Sequence, residues 1–319
     1  MTNWNISFGK EILSFPALAL SRKIVYTNRI ERSSGMRQRK RRKHRKWLLL
    51  PVAVLLLAFF FCWQQNGIVT ETYSISSPRL PKAFDGLRIV QLSDIHGKEF
   101  GSDNEALLKA VAALEPDLIA VTGDLIDQAA QFSMVPTLAK GLSAIAPTYY
   151  VTGNHEWAAR RVNDLKALLD ECGVTVLTNY YVLLERDGQA IAVAGIDDPN
   201  GPADQTTGPE LMERIRSEQN NVYTVLLSHR DTVETYATWA YDLVLCGHGH
   251  GGIFRIPILD QGLLSSDRTL FPKYDGGVFS FPSGVSCVVS RGLGSNTVPF
   301  HAFRLFNRPD LPLVVLHAS

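Results

Sequence analysis

Five short motifs contain the residues best suited to chemistry: Asp94-Ile-His96, Gly123-Asp124-Leu-Ile-Asp127, Gly153-Asn154-His155-Glu156, Ser228-His229-Arg230 and Gly247-His248-Gly249-His250. Between them they hold five of the chain's eight histidines. One buried, hydrogen-bonded histidine is ordinary; five beside carboxylates suggest metal ligation. In an extended backbone, residues two apart point to the same side, so His248 and His250 are expected to converge, with the surrounding glycines leaving room for other groups. The pooled donors are carboxylate, imidazole and one amide, a set that suits Mn²⁺, Fe²⁺, Zn²⁺ or Co²⁺. They outnumber the ligands of one tetrahedral ion, so two ions are implied. A pair of ions roughly 3.5–4 Å apart can clamp the oxygens of an in-line displacement at phosphorus. Cys62, Cys172, Cys246 and Cys287 show no CxxC spacing. That argues against zinc-finger or thioredoxin chemistry, and all four read as buried small hydrophobes.

Each motif follows a run that reads as a strand, and in open α/β sheets ligands bind just past the carboxyl ends of strands. Strands are expected at 87–93, 117–122 and 147–152, alternating with helices. Asp103 or Asn104 caps the first helix, whose apolar face is Leu107, Leu108, Val111 and Leu114; the others cover 133–145 and 157–169. The second part has more strand, at 174–178, 180–185, 190–195, 222–228, 242–246, 278–281, 285–289 and 300–305, with one helix near 208–218. This alternation predicts an α/β fold.

Ahead of this domain the composition changes. Residues 37–46 carry eight positive charges and no negative one. Residues 47–63 carry no charge and are bracketed by Trp47 and Trp63. As a helix they rise roughly 25 Å, at the short end of what crosses a bilayer. The expected organisation is a basic cytoplasmic segment over 1–46, a transmembrane anchor over 47–63, an extended linker over 64–86 and the catalytic domain over 87–319. Met36 opens the basic run and is a candidate translation start. The basic flank predicts a cytoplasmic N-terminus, with everything after Gln64 outside the membrane. No small-residue cleavage site follows, which favours an uncleaved anchor. From Gln64 onward there are 19 Lys and Arg against 29 Asp and Glu, a net of −10. Such a body repels polyphosphate chains, so no nucleic-acid partner is expected.

The order DxH, GD, GNHE, H, GHxH resembles the calcineurin-like metallophosphoesterase family from about Leu87 to the end. Gly-His-Gly-His-Gly-Gly-Ile-Phe-Arg-Ile-Pro257 and Arg304-Leu-Phe-Asn-Arg-Pro-Asp310 most resemble its membrane-anchored bacterial branch of YkuE-like phosphodiesterases. The resemblance implies a four-layer α/β/β/α sandwich, here preceded by one transmembrane helix. It implies that Asp94, His96 and His250 bind one metal, that Asn154, His229 and His248 bind the other, and that Asp124 bridges both. It further implies that a hydroxide bridging the metals attacks phosphorus while His155 stabilises charge or protonates the leaving oxygen. Gly249 and Ile253 depart from the family's GHTHGGQ, at positions that are not ligands. Asp127, Glu156, Arg230 and the pair Asp197-Asp198 are candidates to support the ligands; Arg160-Arg161 read as a solvated helix face.

The leading functional reading is a membrane-anchored, dinuclear phosphodiesterase or phosphomonoesterase acting on lipid or wall phosphoesters. A second places the domain in the cytosol, as a pyrophosphatase of a nucleotide-linked lipid precursor. A third is a non-catalytic metal-binding scaffold, whose mark would be a degenerate ligand set; every ligand position here is filled.

Overall fold

The computed structural model describes residues 49–295 and 303–319. The basic block 37–46, Met36 and Trp47 lie outside the described residues. The chain divides into a unit ending at Phe59 and a larger unit, Phe60–Ser319. In the first, the described residues are helical and belong to α1, Leu49–Asn66, which is long and apolar enough to cross a membrane. Cys62 lies on this helix and is exposed, against the expectation of burial, because the apolar run around it has no protein core to enter. Cys172, Cys246 and Cys287 are buried as expected.

The larger unit is built on two six-stranded sheets and a small hairpin. In chain order the strands are β1 (Thr72–Ser77), β2 (Leu87–Leu92), β3 (Leu118–Thr122), β4 (Thr148–Val151), β5 (Thr175–Val176), β6 (Tyr180–Arg186), β7 (Gln189–Gly195), β8 (Tyr223–Leu227), β9 (Leu243–Cys246), β10 (Arg255–Ile256), β11 (Gln261–Gly262), β12 (Gly277–Ser280), β13 (Ser286–Val289) and β14 (Leu313–Ala318). The helices are α2 (Glu105–Ala112), α3 (Val135–Ile145), α4 (Asn154–Ala158), α5 (Val162–Glu171), α6 (Gly208–Glu218) and α7 (Val233–Tyr236). The first sheet runs β1-β14-β2-β3-β4-β5 and the second β12-β13-β9-β8-β7-β6; β10 and β11 pair alone.

Successive side chains of the central strands enter different cores, as the two-residue period of a strand requires. On β3, Leu118 and Ala120 join a core between the sheets, with Val193, Val225 and Leu245 from the other side. Ile119 and Val121 face Leu107, Leu138 and Leu165 of α2, α3 and α5. Beyond the second sheet, Ala192, Leu226 and Val244 meet Leu211 and Ile215 of α6 and Val233 and Tyr236 of α7. The layers are therefore helix, sheet, sheet, helix, the four-layer sandwich expected.

Several stretches differ from the sequence reading. Thr72–Ser77, inside the expected linker, is an edge strand paired in parallel with β14. Only Ile75 of it is buried, so its apolar signal is thin. The helix expected over 157–169 is two helices, broken where Arg160 turns left-handed at φ 55°. Of the strand expected at 300–305, residues 300–302 lie outside the described residues, and Leu305 makes a single bridge to Phe254. β14 itself went unnoticed, although it joins β1 to β2 in the first sheet.

Candidate metal centre

β2, β3 and β4 run parallel in one sheet, and β8 and β9 run parallel in the other. Their carboxyl ends deliver Asp94 and His96, Asp124, Asn154, His229, and His248 with His250. Two glycines let these ends close up. A Cβ at Gly153 would meet Asp124 Oδ1 at 2.2 Å, and one at Gly247 would meet Ser93 Oγ at 2.0 Å and Asp94 Oδ2 at 2.4 Å. Asp94, His96, Asp124, His248 and His250 all adopt positive φ, between 50° and 72°. For residues other than glycine this conformation costs energy, and it collects where surrounding contacts over-determine a site.

The backbone around His248 and His250 is therefore not extended, and the two rings do not share one spot. Left-handed turns send them to different groups. Donor atoms of Asp94, His96 and His250 lie within 4.8 Å of one another, as do those of Asp124, His229 and His248. In the first group His250 Nε2 is 3.5 Å from Asp94 Oδ1 and 2.9 Å from His96 Nε2. In the second, His229 Nε2 is 3.2 Å from His248 Nδ1 and 3.1 Å from Asn154 Oδ1. Asp124 Oδ2 reaches both groups, 3.2 Å from His229 Nε2 and 3.8 Å from His96 Nε2. All seven expected ligand residues are thus brought together.

The atoms around the rings set which nitrogens are free to ligate. His229 Nδ1 donates to the Thr122 carbonyl at 2.9 Å, leaving Nε2 toward the cluster. His96 Nδ1 donates to Asp127 Oδ1 at 2.5 Å, with the same result. A ligating histidine ordinarily gives its other N–H to a carboxylate or carbonyl in this way. His250 is different: its Nδ1 faces Arg304 Nη2 at 3.2 Å. A guanidinium only donates, so neutral His250 carries its proton on Nε2 and donates to His96.

Asp94 and Asp124 are buried carboxylates with no lysine or arginine ion-pair partner among the described residues. Burial works against ionisation of Asp124, but the neighbouring imidazoles, His229 first, hold its pKa far below the usual range. Reciprocally, burial opposes protonation of His229, while Asp124 and then Asp94 hold it up to about 10. Buried charge must be compensated. Protons can do this, and so can divalent cations, for which this thiol-free set of carboxylate, imidazole and amide donors is suited.

Several neighbours tie the ligands down. Asp127 also takes the Nδ1 proton of His155 at 2.8 Å, so one carboxylate orients two rings. His155 stands at the rim with 23% of its side chain exposed, whereas His96 and His229 are sealed. Glu156 receives the backbone amides of Asp124, Leu125, Ile126 and Gly153. Arg230 grips Asp198 through two nitrogens and places Nη1 3.1 Å from His248 Nε2. Asp197 instead bonds Thr152 and Lys166, away from the rings. Arg160 and Arg161 are exposed, as a solvated face would be.

Sequence reasoning passed over Asp231 and Asp267, whose carboxylates group with His248. Neither lies in a motif, and no spacing marked them. It also gave no role to Arg304, although its closing motif was noticed.

Residues 87–252 match the calcineurin-like phosphoesterase family. The chain is 29% identical over 268 residues to the metallophosphoesterase YkuE of Bacillus subtilis (strain 168), covering 80% of this chain and 88% of that protein. It is 28% identical over 237 residues to the phosphodiesterase YaeI of Escherichia coli (strain K12), covering 72% and 82%. A transmembrane protein with a metallophosphoesterase domain from Bos taurus is 29% identical over 263 residues, 78% of this chain and 57% of that one. With the family's domain spanning the strand ends that carry Asp94 through His250, the chain belongs to the calcineurin-like phosphoesterases and is a metal-dependent phosphoesterase.

Proposed function

We propose that the chain holds two divalent cations, one on Asp94, His96 and His250, the other on Asn154, His229 and His248, with Asp124 between them. We further propose that it hydrolyses lipid or wall phosphoesters from the outer face of a membrane in which α1 is the anchor. The observation that carries the two-cation reading is the position of Asp124 Oδ2, within 4 Å of a ring in each donor group. Bound there, two ions would supply Lewis acidity at the phosphoryl oxygens and an activated water.

The chain's own residues hold and move protons around that centre. Asp127 fixes the His155 ring through Nδ1, which turns Nε2 toward the cluster, 3.9 Å from Asp124 Oδ2. Burial disfavours the His155 imidazolium, yet Asp127 and Asp124 outweigh it and raise its pKa. This geometry sets His155, when protonated, to present Nε2–H to a leaving oxygen. The paired Asp198 and Arg230 hold His248 from outside the cluster. The test is product analysis: the full chain in detergent, loaded with Mn²⁺, is offered a panel of lipid and wall phosphodiesters together with nucleotide-linked lipid pyrophosphates. Release of an alcohol and a phosphomonoester from a member of the panel supports the reading. Hydrolysis confined to nucleotide pyrophosphates would replace it with the cytosolic alternative.

A further inference from the structure

We infer that the loops following the last histidine motif form a second contact with the lipid bilayer, beside the end of α1, so that the metal centre takes phosphoesters carried at the bilayer surface. The inference rests on the phosphoesterase reading above and adds where its substrate lies. Ile258 is 95% exposed, Leu259 68%, Leu270 64%, Phe271 55%, Phe303 54% and Phe306 46%. Outside α1, Tyr180 and Val278 are the other large apolar side chains so exposed among the described residues. Scattered exposed apolar residues are ordinary, whereas a collected set marks an interaction surface.

Hydrogen bonds between neighbouring segments collect them. The Arg255 amide donates to the Leu305 carbonyl, the Leu263 amide to Phe254, and the Phe271 amide to Leu263. Segments 303–306, 253–256, 262–264 and 270–271 therefore lie side by side. Ile258 and Leu259, after Pro257, form the turn of the hairpin that β10 and β11 close.

The outer edge of this ladder names the occupant. Phe61 packs against Phe303 with ring centroids 5.5 Å apart and the rings tilted, and Phe60 packs in the same way against Phe306 at 5.9 Å. The Arg308 guanidinium lies 4.2 Å over the Trp63 ring. Aromatic rings with a basic side chain at the end of an apolar helix are the composition of a membrane–water interface. The exposed apolar set is continuous with that end, so lipid, rather than a soluble peptide, is the partner it fits.

The metal centre adjoins the same ladder. Asn307 donates to the His250 carbonyl at 2.7 Å, and Asp267, three residues before Leu270, lies 3.2 Å from His248 Nε2. A bilayer meeting the ladder would hold phosphate-bearing headgroups beside the cluster.

The test uses the full chain in a Cys62→Ser background, with Leu259→Cys or Phe271→Cys carrying an environment-sensitive fluorophore. Glu213→Cys, exposed on α6, is the control. In phosphatidylcholine–phosphatidylglycerol vesicles with a quencher on the acyl chains, the labels at 259 and 271 should be quenched several-fold more than the label at 213. Equal quenching at all three would overturn the inference. So would concentration-dependent self-quenching at 259 in lipid-free detergent, which would show a second copy covering the patch. Combined Ile258→Ser, Leu259→Ser and Phe271→Ser should leave hydrolysis of a soluble chromogenic ester unchanged and lower hydrolysis of a vesicle-borne lipid phosphoester by about tenfold, because apolar side chains supply the contact. An equal fall on both substrates contradicts it. Failure of the unaltered chain on every ester would remove the phosphoesterase reading, while the quenching result would still report the contact.

Discussion

Asp127 accepts a hydrogen bond from both His96 and His155, one ring in the cluster and one at its rim. Burial pushes its pKa up, but those two bonds hold it down to about 2, so it stays a carboxylate at neutral pH. Its loss should therefore show twice. Asp127→Asn is expected to lower metal affinity and kcat, each by about 10–100-fold, the usual effect of removing a group that orients a ligand. His155→Ala should separate these effects: kcat falls by ~10²–10⁴-fold, in the range of general acid–base catalysis, with both metals retained. Metal analysis beside steady-state rates checks the pair; a missing metal in His155→Ala would make His155 a ligand. The rings also predict a pH dependence. His229 is held up to about 10 before any metal binds, so near neutrality its ring carries a proton on Nε2 as well as on Nδ1. Ligation needs that Nε2 bare, so metal uptake near neutrality must release protons. Apparent affinity should then rise as pH rises from 6 toward 9. A flat titration, with no protons released in weak buffer, would contradict these protonation states.

At the level of elements, the turns after β3 and β4 are built around Gly153 and Glu156. Gly153→Ala would thrust a methyl against Asp124 Oδ1 and the Asp124 amide. The sheets need no such glycine, so the variant should keep its far-ultraviolet circular dichroism and lose metal from both groups. Unchanged metal content would show that Asp124 has room to spare. This level was also the most legible in the sequence. β2, β3 and β4 read clearly because both their faces are buried and their apolar runs are continuous. β1 did not, because five of its six residues are not buried. The break between α4 and α5 hid in Arg160, whose type gives no turn signal although its φ is positive. The seven ligand positions were legible because motif and strand end coincide. Asp267 and Arg304 were not, since loops with no periodicity carry them to His248 and His250.

For the whole molecule, the side of the membrane the domain occupies and the number of metals that drive it can each be measured directly. Eight positive charges precede the apolar run, and Gln64–Thr70 carry none. Positive flanks stay in the cytoplasm, so protease added to right-side-out spheroplasts should digest the domain from Leu87 onward. Protection until lysis would place it inside. The helix end is also part of the folded body, since Gln65 exchanges hydrogen bonds with the Arg304 backbone. Work on the metal centre is therefore best done with the full chain in detergent. There, the most direct test measures bound metal and the hydrolysis of a chromogenic phosphodiester together, as chelator strips the protein and Mn²⁺ is returned. Activity should vanish with the metal and return only as the second equivalent binds, and Asp124→Asn should recover neither. Full activity in protein shown to be free of metal would contradict the two-cation reading.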